Sequence, residues 1–184
     1  FNPITVDGDG STNDSLFALA SGASGVMIDE DSYPMLLDAL LMVSRDLALG
    51  IVRGGEGATK LIAVNVHDAR SRDEARQVAR TIANSPLVKT AVQGADPNWG
   101  RIVAAAGRSG VVFDIDRATV HVGGILLFDN GLPHDDASPQ AGEHLKNTEV
   151  RIDVNLGTGG GAGATIWTCD LSAEYVRING EYRS

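Results

Sequence analysis

The sequence has a single cysteine and an excess of acidic over basic residues, and it lacks any long apolar run. Because Cys169 has no partner, the chain cannot form an internal disulfide, which fits a reducing compartment. No apolar run approaches the roughly 20 residues that span a bilayer, so we expect a soluble protein without a membrane partner. The 15 basic residues are scattered and the net charge is −9, which argues against a nucleic-acid partner and favours cationic small molecules.

The sequence also lacks a complete catalytic motif. It contains no Gly-x-Ser-x-Gly segment, no cysteine with an evident histidine partner and no zinc-ligand spacing. Cys169 lies in an apolar strand pattern, so we interpret it as a small buried side chain rather than a nucleophile. The chain starts at Phe1 with neither methionine nor a signal-peptide pattern, and we expect preceding residues that were removed by processing or are not ordered.

Residues 53–60, Arg-Gly-Gly-Glu-Gly-Ala-Thr-Lys, separate a long helical pattern from an apolar strand pattern. Glycines on both sides of Glu56 permit positive φ and a close approach of other backbone, so Glu56 can be presented at the mouth of a cleft. Taken alone, the segment favours a simpler interpretation, in which Gly54 is the left-handed cap of the preceding helix and Glu56 is a solvated charge.

Several segments carry the apolar spacing and capping residues of helices. The clearest begins with the capping box Ser71-Arg72-Asp73-Glu74 and ends near Asn84. Further helices are predicted over residues 14–21, ended by Gly22, from residue 31 or 32 to 52, over residues 102–106 with Asp96 or Asn98 as the cap, and after Ser172. Residues 87–92 are compatible with a helix or a strand.

Strand patterns fill most of the remaining sequence. Residues 59–67 have an apolar centre that indicates burial on both faces, and residues 149–156 alternate as a strand with one wet face. We predict hairpins for residues 119–128 and for residues 149–169, the second through the glycine-rich segment 157–163, with a surface loop at 129–142 and a tail at 178–184. These patterns together predict an α+β fold.

Some polar clusters suggest ligand sites but fit simpler roles better. The acidic run near Asp7 and Asp9 lacks the spacing of a calcium loop, so helix capping is favoured. His134 stands next to two aspartates, but adjacent residues seldom converge on one metal ion. The glycine-rich segment lacks the Lys-Ser/Thr that follows a phosphate-binding loop, so we favour a connection between strands.

Several motifs, in order along nearly the whole chain, resemble the C-terminal β chain of ornithine acetyltransferase, the bifunctional enzyme of the cyclic arginine pathway. The most specific is Asp96-Pro97-Asn98-Trp99-Gly100-Arg101. The other segments are Thr5-Val6-Asp7-Gly8-Asp9, Ser11-Thr12-Asn13-Asp14, Glu56-Gly57-Ala58-Thr59-Lys60, Leu87-Val88-Lys89-Thr90-Ala91, Gly94-Ala95, Trp167-Thr168-Cys169-Asp170-Leu171 and Tyr175-Val176-Arg177-Ile178-Asn179.

The resemblance implies a fold, an activity and a partner. The fold would be an α+β, αββα sandwich of mixed sheets layered with helices, like that of ornithine acetyltransferase and its aminopeptidase relatives. Residues 1–184 would be part of the β chain, with a larger lobe at about 1–110 and a smaller one at about 111–184. The companion α chain of the same self-cleaved precursor would complete a cytoplasmic α2β2 heterotetramer and supply the oxyanion hole.

The resemblance also implies how the chemistry is divided. Members of the family transfer acetyl from N-acetylornithine to glutamate through an N-terminal threonine, which would lie upstream of Phe1. The α-amine of such a threonine can act as the base, so no histidine is needed. No cofactor is implied, although acetyl-CoA can serve some members as the donor, and no metal ligands are implied.

By match to the family motifs, Glu56, Asn179 and Ser184 correspond to substrate-binding residues. A carboxylate can pair with the ornithine ammonium group, while an amide and a hydroxyl can hold the polar ends of an amino acid. Two other functions fit the same residues. One is an aminopeptidase or amidase relative in which water resolves the acyl-enzyme, and the other is a non-catalytic subunit that binds an amino acid.

Overall fold

The structure, a computed structural model, describes residues 1–10 and 13–181. Its helices are Tyr33–Arg53 (α1), Arg72–Ala83 (α2), Pro86–Gln93 (α3), Trp99–Gly107 (α4), Ser138–Leu145 (α5) and Ala173–Glu181 (α6). Its strands are Leu61–Ala69 (β1), Thr119–Val122 (β2), Ile125–Asp129 (β3), Leu132–Pro133 (β4), Glu149–Asn155 (β5) and Ala162–Cys169 (β6).

Strand β1 lies between β5 and β6 in one mixed sheet, in which the described strands have the order β4-β3-β2-β5-β1-β6. It runs parallel to β5, with Leu61 opposite Glu149, and antiparallel to β6, with Leu61 opposite Cys169. The α+β class, with a mixed sheet layered with helices, is therefore confirmed. The division into lobes near residue 110 stays a prediction; β1 precedes that position, and both strands that it pairs with follow it.

One face of the sheet carries the main apolar core. Alternate residues of β1, namely Ile62, Val64 and Val66, are almost fully buried against apolar side chains of α2, α3, α4 and α5. The opposite face is mixed, since Leu61 is buried and Ala63 is half-buried. Asn65 on this face is polar: Thr165 donates to its Oδ1 at 2.8 Å, and its Nδ2 donates to Asp153 Oδ1 at 3.0 Å. The predicted burial of both faces therefore holds for the first residues of β1, and the second face becomes polar from Asn65 onwards.

Side-chain caps account for where three helices begin. Ser71 Oγ accepts from Glu74 N at 3.2 Å, so α2 starts where the sequence predicts. Asn98 Oδ1 accepts from Arg101 N at 3.1 Å, which confirms Asn98 as the cap of α4, but this helix starts at Trp99, three residues before the predicted start. Ser85 Oγ accepts from Val88 N at the start of α3. This cap, with Pro86 in the first turn, decides the ambiguous segment 87–92 in favour of a helix.

The helix predicted over residues 14–21 is wrong, because the described backbone there has no regular secondary structure. Its apolar side chains are open to solvent, with Phe17 79% and Leu19 94% exposed. A helix this short is marginal in water unless tertiary packing stabilises it, and no residue of 14–21 belongs to an apolar cluster of the described residues.

The surface loop predicted at residues 129–142 is also wrong in part. It contains the two-residue strand β4 and the first half of α5, whose Pro139 occupies the first turn. Ala141 and Leu145 anchor this helix in the main core. The sequence did not predict this helix because its pattern has only two apolar positions, one turn apart. The prolines and acidic residues nearby favoured a loop instead.

The hairpin predicted between β5 and β6 is wrong, since β1 lies between these two strands. The connection therefore crosses the end of β1, where Gly159 N and Gly161 N each donate to the Asp68 carboxylate at 2.9 Å. A Cβ at Gly160 would collide with Ala69 O. The glycines serve this close crossing rather than a tight turn.

Helix α1 is apolar and largely exposed. Only Ala48 and Val52 are buried, and Val52 packs in a small second cluster with Leu61 and Cys169. In the described part of the chain no helix is both long and apolar enough to cross a membrane. The exposed apolar face of α1 is therefore a feature that another protein surface could cover.

Asp68 gives a pH-dependent prediction. Hydrogen bonds from the Gly159 and Gly161 amides lower the pKa of the Asp68 carboxyl, so its contribution to stability is present above the ordinary carboxyl pKa and is lost as pH falls through the lowered value. We expect Asp68 to titrate below the usual range in carboxyl NMR, and the protection factors of both amides to fall as it protonates. In Asp68→Asn this pH dependence should vanish; a normal pKa would contradict the interpretation.

Candidate functional site

A buried carboxylate anchors the loop that carries Glu56. Asp170, which follows β6 and is 2% exposed, accepts hydrogen bonds from Thr59 N at 2.8 Å, Thr59 Oγ1 at 2.6 Å and Lys60 N at 2.8 Å. Charge-assisted bonds of this kind offset the cost of burying a carboxylate. They tie residues 54–60 to the junction between β6 and α6.

Gly57 brings the same loop against the start of α6. Its φ is +66°, and a Cβ there would lie 2.5 Å from Tyr175 N and 2.8 Å from Ser172 Oγ. Ser172 Oγ donates to Gly57 O at 2.6 Å and accepts from Tyr175 N at 3.4 Å, which confirms Ser172 as the helix cap. Only glycine fits this position without strain.

Glu56 and Asn179 are brought together across this junction. Asn179 Nδ2 donates to Glu56 Oε2 at 2.6 Å and to Tyr175 O at 3.0 Å. Both residues are exposed, so the pair faces outward. The third predicted residue, Ser184, lies outside the described residues.

Two local predictions around this pair are wrong. Gly54 follows α1, but its φ of −84° is not left-handed; the positive φ in the loop belongs to Gly57. Residues 178–181 are not a tail, because α6 continues to Glu181. Asn179 is therefore held on a helix, which limits where its amide can lie relative to Glu56.

Tyr175 and Asp7 form a second contact that the sequence did not single out. The Tyr175 hydroxyl donates to Asp7 Oδ2 at 3.0 Å. Burial and then the neighbouring Asp7 raise the pKa of Tyr175, so the hydroxyl keeps its proton at neutral pH. Both residues belong to segments that carry the family resemblance. This was the one feature of the sequence that could have pointed to them as site residues.

Lys89 lies in the interior behind the site. It is 3% exposed, its Nζ donates to Val6 O, and it is 3.4 Å from Thr168 Oγ1. Burial lowers the pKa of this lysine. Its ammonium group holds the N-terminal segment, which carries Asp7, against the end of β6.

The prediction that Cys169 is a buried side chain is confirmed. It is 2% exposed, and burial raises the pKa of its thiol. A protonated, inaccessible thiol is a poor nucleophile. Cys169 therefore offers no nucleophile at this surface.

The oxygen atoms of Glu56 and Asn179 are acceptors that suit a cationic ligand. The Glu56 carboxylate is held from one side by Asn179, and among the described residues no hydrogen bond to Asn179 Oδ1 is found. A carboxylate and an amide oxygen at one surface can receive the N–H groups of an ammonium ion. In the same part of the chain no three potential metal ligands converge, and His134 Nε2 lies 2.6 Å from Asp129 instead.

The family profile and the similar proteins all point to one family. The ArgJ family profile matches residues 1–184. The chain is 50% identical over 194 residues to the arginine biosynthesis bifunctional protein ArgJ of Synechocystis, covering 99% of this chain and 47% of that protein. It is 46% identical over 193 residues to the mitochondrial ArgJ protein of Yarrowia lipolytica, covering 100% of this chain and 45% of that protein.

A solved structure shares the fold. The crystal structure of the arginine biosynthesis bifunctional protein ArgJ from Bacillus halodurans superposes with a TM-score of 0.92 at 41% identity, covering 99% of this chain and 87% of that one. By contrast, the chain spans about half the length of the curated relatives that it matches.

Gly57 gives a prediction for the site. Gly57→Ala should destabilise the protein by at least about 2 kcal/mol, because it adds left-handed strain and displaces α6. Gly50→Ala, in α1 with open space around the new methyl group, should instead be neutral or stabilising by up to about 1 kcal/mol. Thermal unfolding and hydrogen exchange of α6 measure both changes. Equal stability of Gly57→Ala and the wild type would contradict the packing described.

Proposed function

The chain belongs to the ArgJ family, and from this we propose that it supplies part of the substrate site of a glutamate N-acetyltransferase of arginine biosynthesis. The enzyme would move acetyl from N-acetylornithine to glutamate. The observation that carries the proposal is the hydrogen bond between Asn179 and Glu56, residues 123 positions apart. The names of the relatives, arginine biosynthesis bifunctional proteins, support the same activity.

Glu56 is the proposed partner of the ornithine side-chain ammonium group. Its carboxylate is exposed and is oriented by Asn179, so an incoming cation replaces solvent rather than a buried ion pair. Asn179 Oδ1 adds a neutral acceptor beside it, and Ser184 is the proposed third contact. The excess of acidic residues, with a net charge of −9, favours the approach of a cationic amino acid.

The proposed nucleophile is a threonine that precedes Phe1 in the protein as synthesised, with the oxyanion hole supplied by the companion α chain. The threonine hydroxyl attacks the acetyl carbon of N-acetylornithine while the threonine α-amine takes its proton. The C–N bond then breaks, and that proton passes to the departing ornithine nitrogen. The amine of glutamate then attacks the carbonyl carbon of the acetyl-threonine ester and the ester C–O bond breaks. The proton that the amine loses passes through the threonine α-amine to the threonine oxygen, which restores the hydroxyl and leaves acetyl on glutamate as an amide.

No cofactor is required by this scheme, because N-acetylornithine itself carries the acetyl group. Acetyl-CoA as a second donor is a proposal that a direct assay decides. We also propose the cytoplasm as the location of this protein, although the name of the Yarrowia relative places that protein in mitochondria.

The proposed partner is the companion α chain of the same precursor, in an α2β2 assembly. Helix α1 offers a surface for it, since a stripe of apolar residues there is open to solvent: Leu36, Leu37, Leu40, Leu41, Met42, Val43, Leu47 and Ile51. Matched relatives are about twice as long as this chain, so they contain enough additional polypeptide to cover this face. Contiguous exposed apolar patches such as this face of α1 typically mark interaction sites.

The proposed function is tested on the complete αβ protein. Incubation with N-acetylornithine should yield N-acetylglutamate by mass spectrometry only when glutamate is present. Release of free acetate without glutamate would favour the hydrolase, and binding of ornithine without any turnover would favour the non-catalytic subunit.

Glu56→Gln should lower kcat/KM for N-acetylornithine about 30-fold, because it removes a charge-assisted contact worth about 2 kcal/mol. The matched control is Glu143→Gln, which changes a carboxylate that is 71% exposed and paired with Lys146. The control should retain wild-type kinetics. Unchanged kinetics for Glu56→Gln would remove Glu56 from the substrate site.

Leu41→Asp should weaken association with the α chain at least about tenfold, because a charge on the apolar face must be desolvated on binding. Leu87→Asp is the matched control, since Leu41 is 58% and Leu87 is 60% exposed, but Leu87 lies on α3. Co-purification and size-exclusion chromatography of the two co-expressed chains provide the readout. Normal assembly of Leu41→Asp would exclude this face from the interface.

A further inference from the structure

Helix α6 is attached to the rest of the described chain mainly through polar contacts. None of its residues is fully buried. Side-chain hydrogen bonds join it and its cap to neighbouring segments: Ser172 to Gly57, Tyr175 to Asp7, and Asn179 to Glu56. With little apolar packing to fix it, the position of the helix depends on these bonds.

Tyr175 lies one turn before Asn179, so the two side chains share a face of α6. Asn179 Nδ2 bonds to the Tyr175 carbonyl at 3.0 Å as well as to Glu56. A shift of the helix at Tyr175 therefore moves the Asn179 amide. The Ser172 contact fixes the first turn of the helix, while the Tyr175 hydroxyl is the next attachment point along it.

Asp7 is a firm attachment point for this hydroxyl. Its Oδ1 accepts from Asp9 N at 3.0 Å, which leaves Oδ2 for Tyr175. The preceding residue, Val6, accepts from the buried ammonium group of Lys89. A hydrogen bond from a neutral hydroxyl to such a held carboxylate is stronger than one between two neutral groups.

We propose that Tyr175 is a positioning residue: its hydroxyl, bound to Asp7, holds α6 so that Asn179 is aligned with Glu56 to receive the substrate. The inference rests on the proposed function and deepens it. Tyr175 acts on substrate binding through Asn179 and takes no part in acetyl transfer itself. Its loss therefore changes KM and leaves the chemical step alone.

Tyr175→Phe in the complete αβ protein tests this role. We expect KM for N-acetylornithine to rise about tenfold, equivalent to about 1.4 kcal/mol, with kcat within about twofold of wild type. Tyr33→Phe makes the same change on a side chain that is 57% exposed at the start of α1, and should leave both constants unchanged. A fall in kcat or in stability with KM unchanged would assign Tyr175 a structural role and overturn the proposal.

A double-mutant cycle separates the Tyr175–Asp7 bond from other effects of either residue. Asp7→Ala should raise KM to a similar extent, and the double variant Asp7→Ala/Tyr175→Phe should be no worse than the more affected single variant. Additive effects would overturn the proposal. The kinetic constants of the variants test the role of Tyr175 only if the wild-type protein forms N-acetylglutamate. If the wild-type protein transfers no acetyl group, the proposed function itself is refuted.

Discussion

The buried carboxylate of Asp170 is the constraint on which the rest of this region depends. Asp170 follows β6 directly and accepts three hydrogen bonds from Thr59 and Lys60. A charge buried this deeply is tolerated only while its donors stay in place. The loop before β1 and the helix after β6 are thereby fixed to one point, although they are far apart in sequence. Glu56 lies in the loop before β1 and Asn179 lies on α6. The distance between these two residues therefore depends on the hydrogen bonds of Asp170.

Much of the fold follows from local signals in the sequence. Ser71 and Asn98 mark their helices because a cap and an apolar face occur together, and the β2–β3 hairpin follows from paired glycines between strand patterns. The pairing of β1 with both β5 and β6 could not be inferred this way, because it depends on contacts between distant segments. Residues 14–21 show the converse error: their local pattern suits a helix, but in the described part of the chain they join no apolar cluster that would stabilise one.

The site was predictable only through the family motifs. Nothing in the spacing of Glu56 and Asn179 indicates that they meet, and their roles in binding substrate stay predictions. Asp7, Lys89 and Tyr175 carry no pattern of their own, since their arrangement arises where the N-terminal segment, α3 and α6 converge. Such a polar network becomes visible only when side chains from separate segments are placed in space, although each member lies in a recognisable motif.

The place of β1 between β5 and β6 has a consequence for how the chain acquires its structure. Asn65 is 88 positions from its partner Asp153 and 100 from Thr165, so this strand leaves the ribosome long before either neighbour. Until they arrive, both of its hydrogen-bonding edges are open and one face is strongly apolar. Pairing at such sequence distance is slow and exposes the nascent chain to aggregation, so chaperone binding during synthesis should centre on β1.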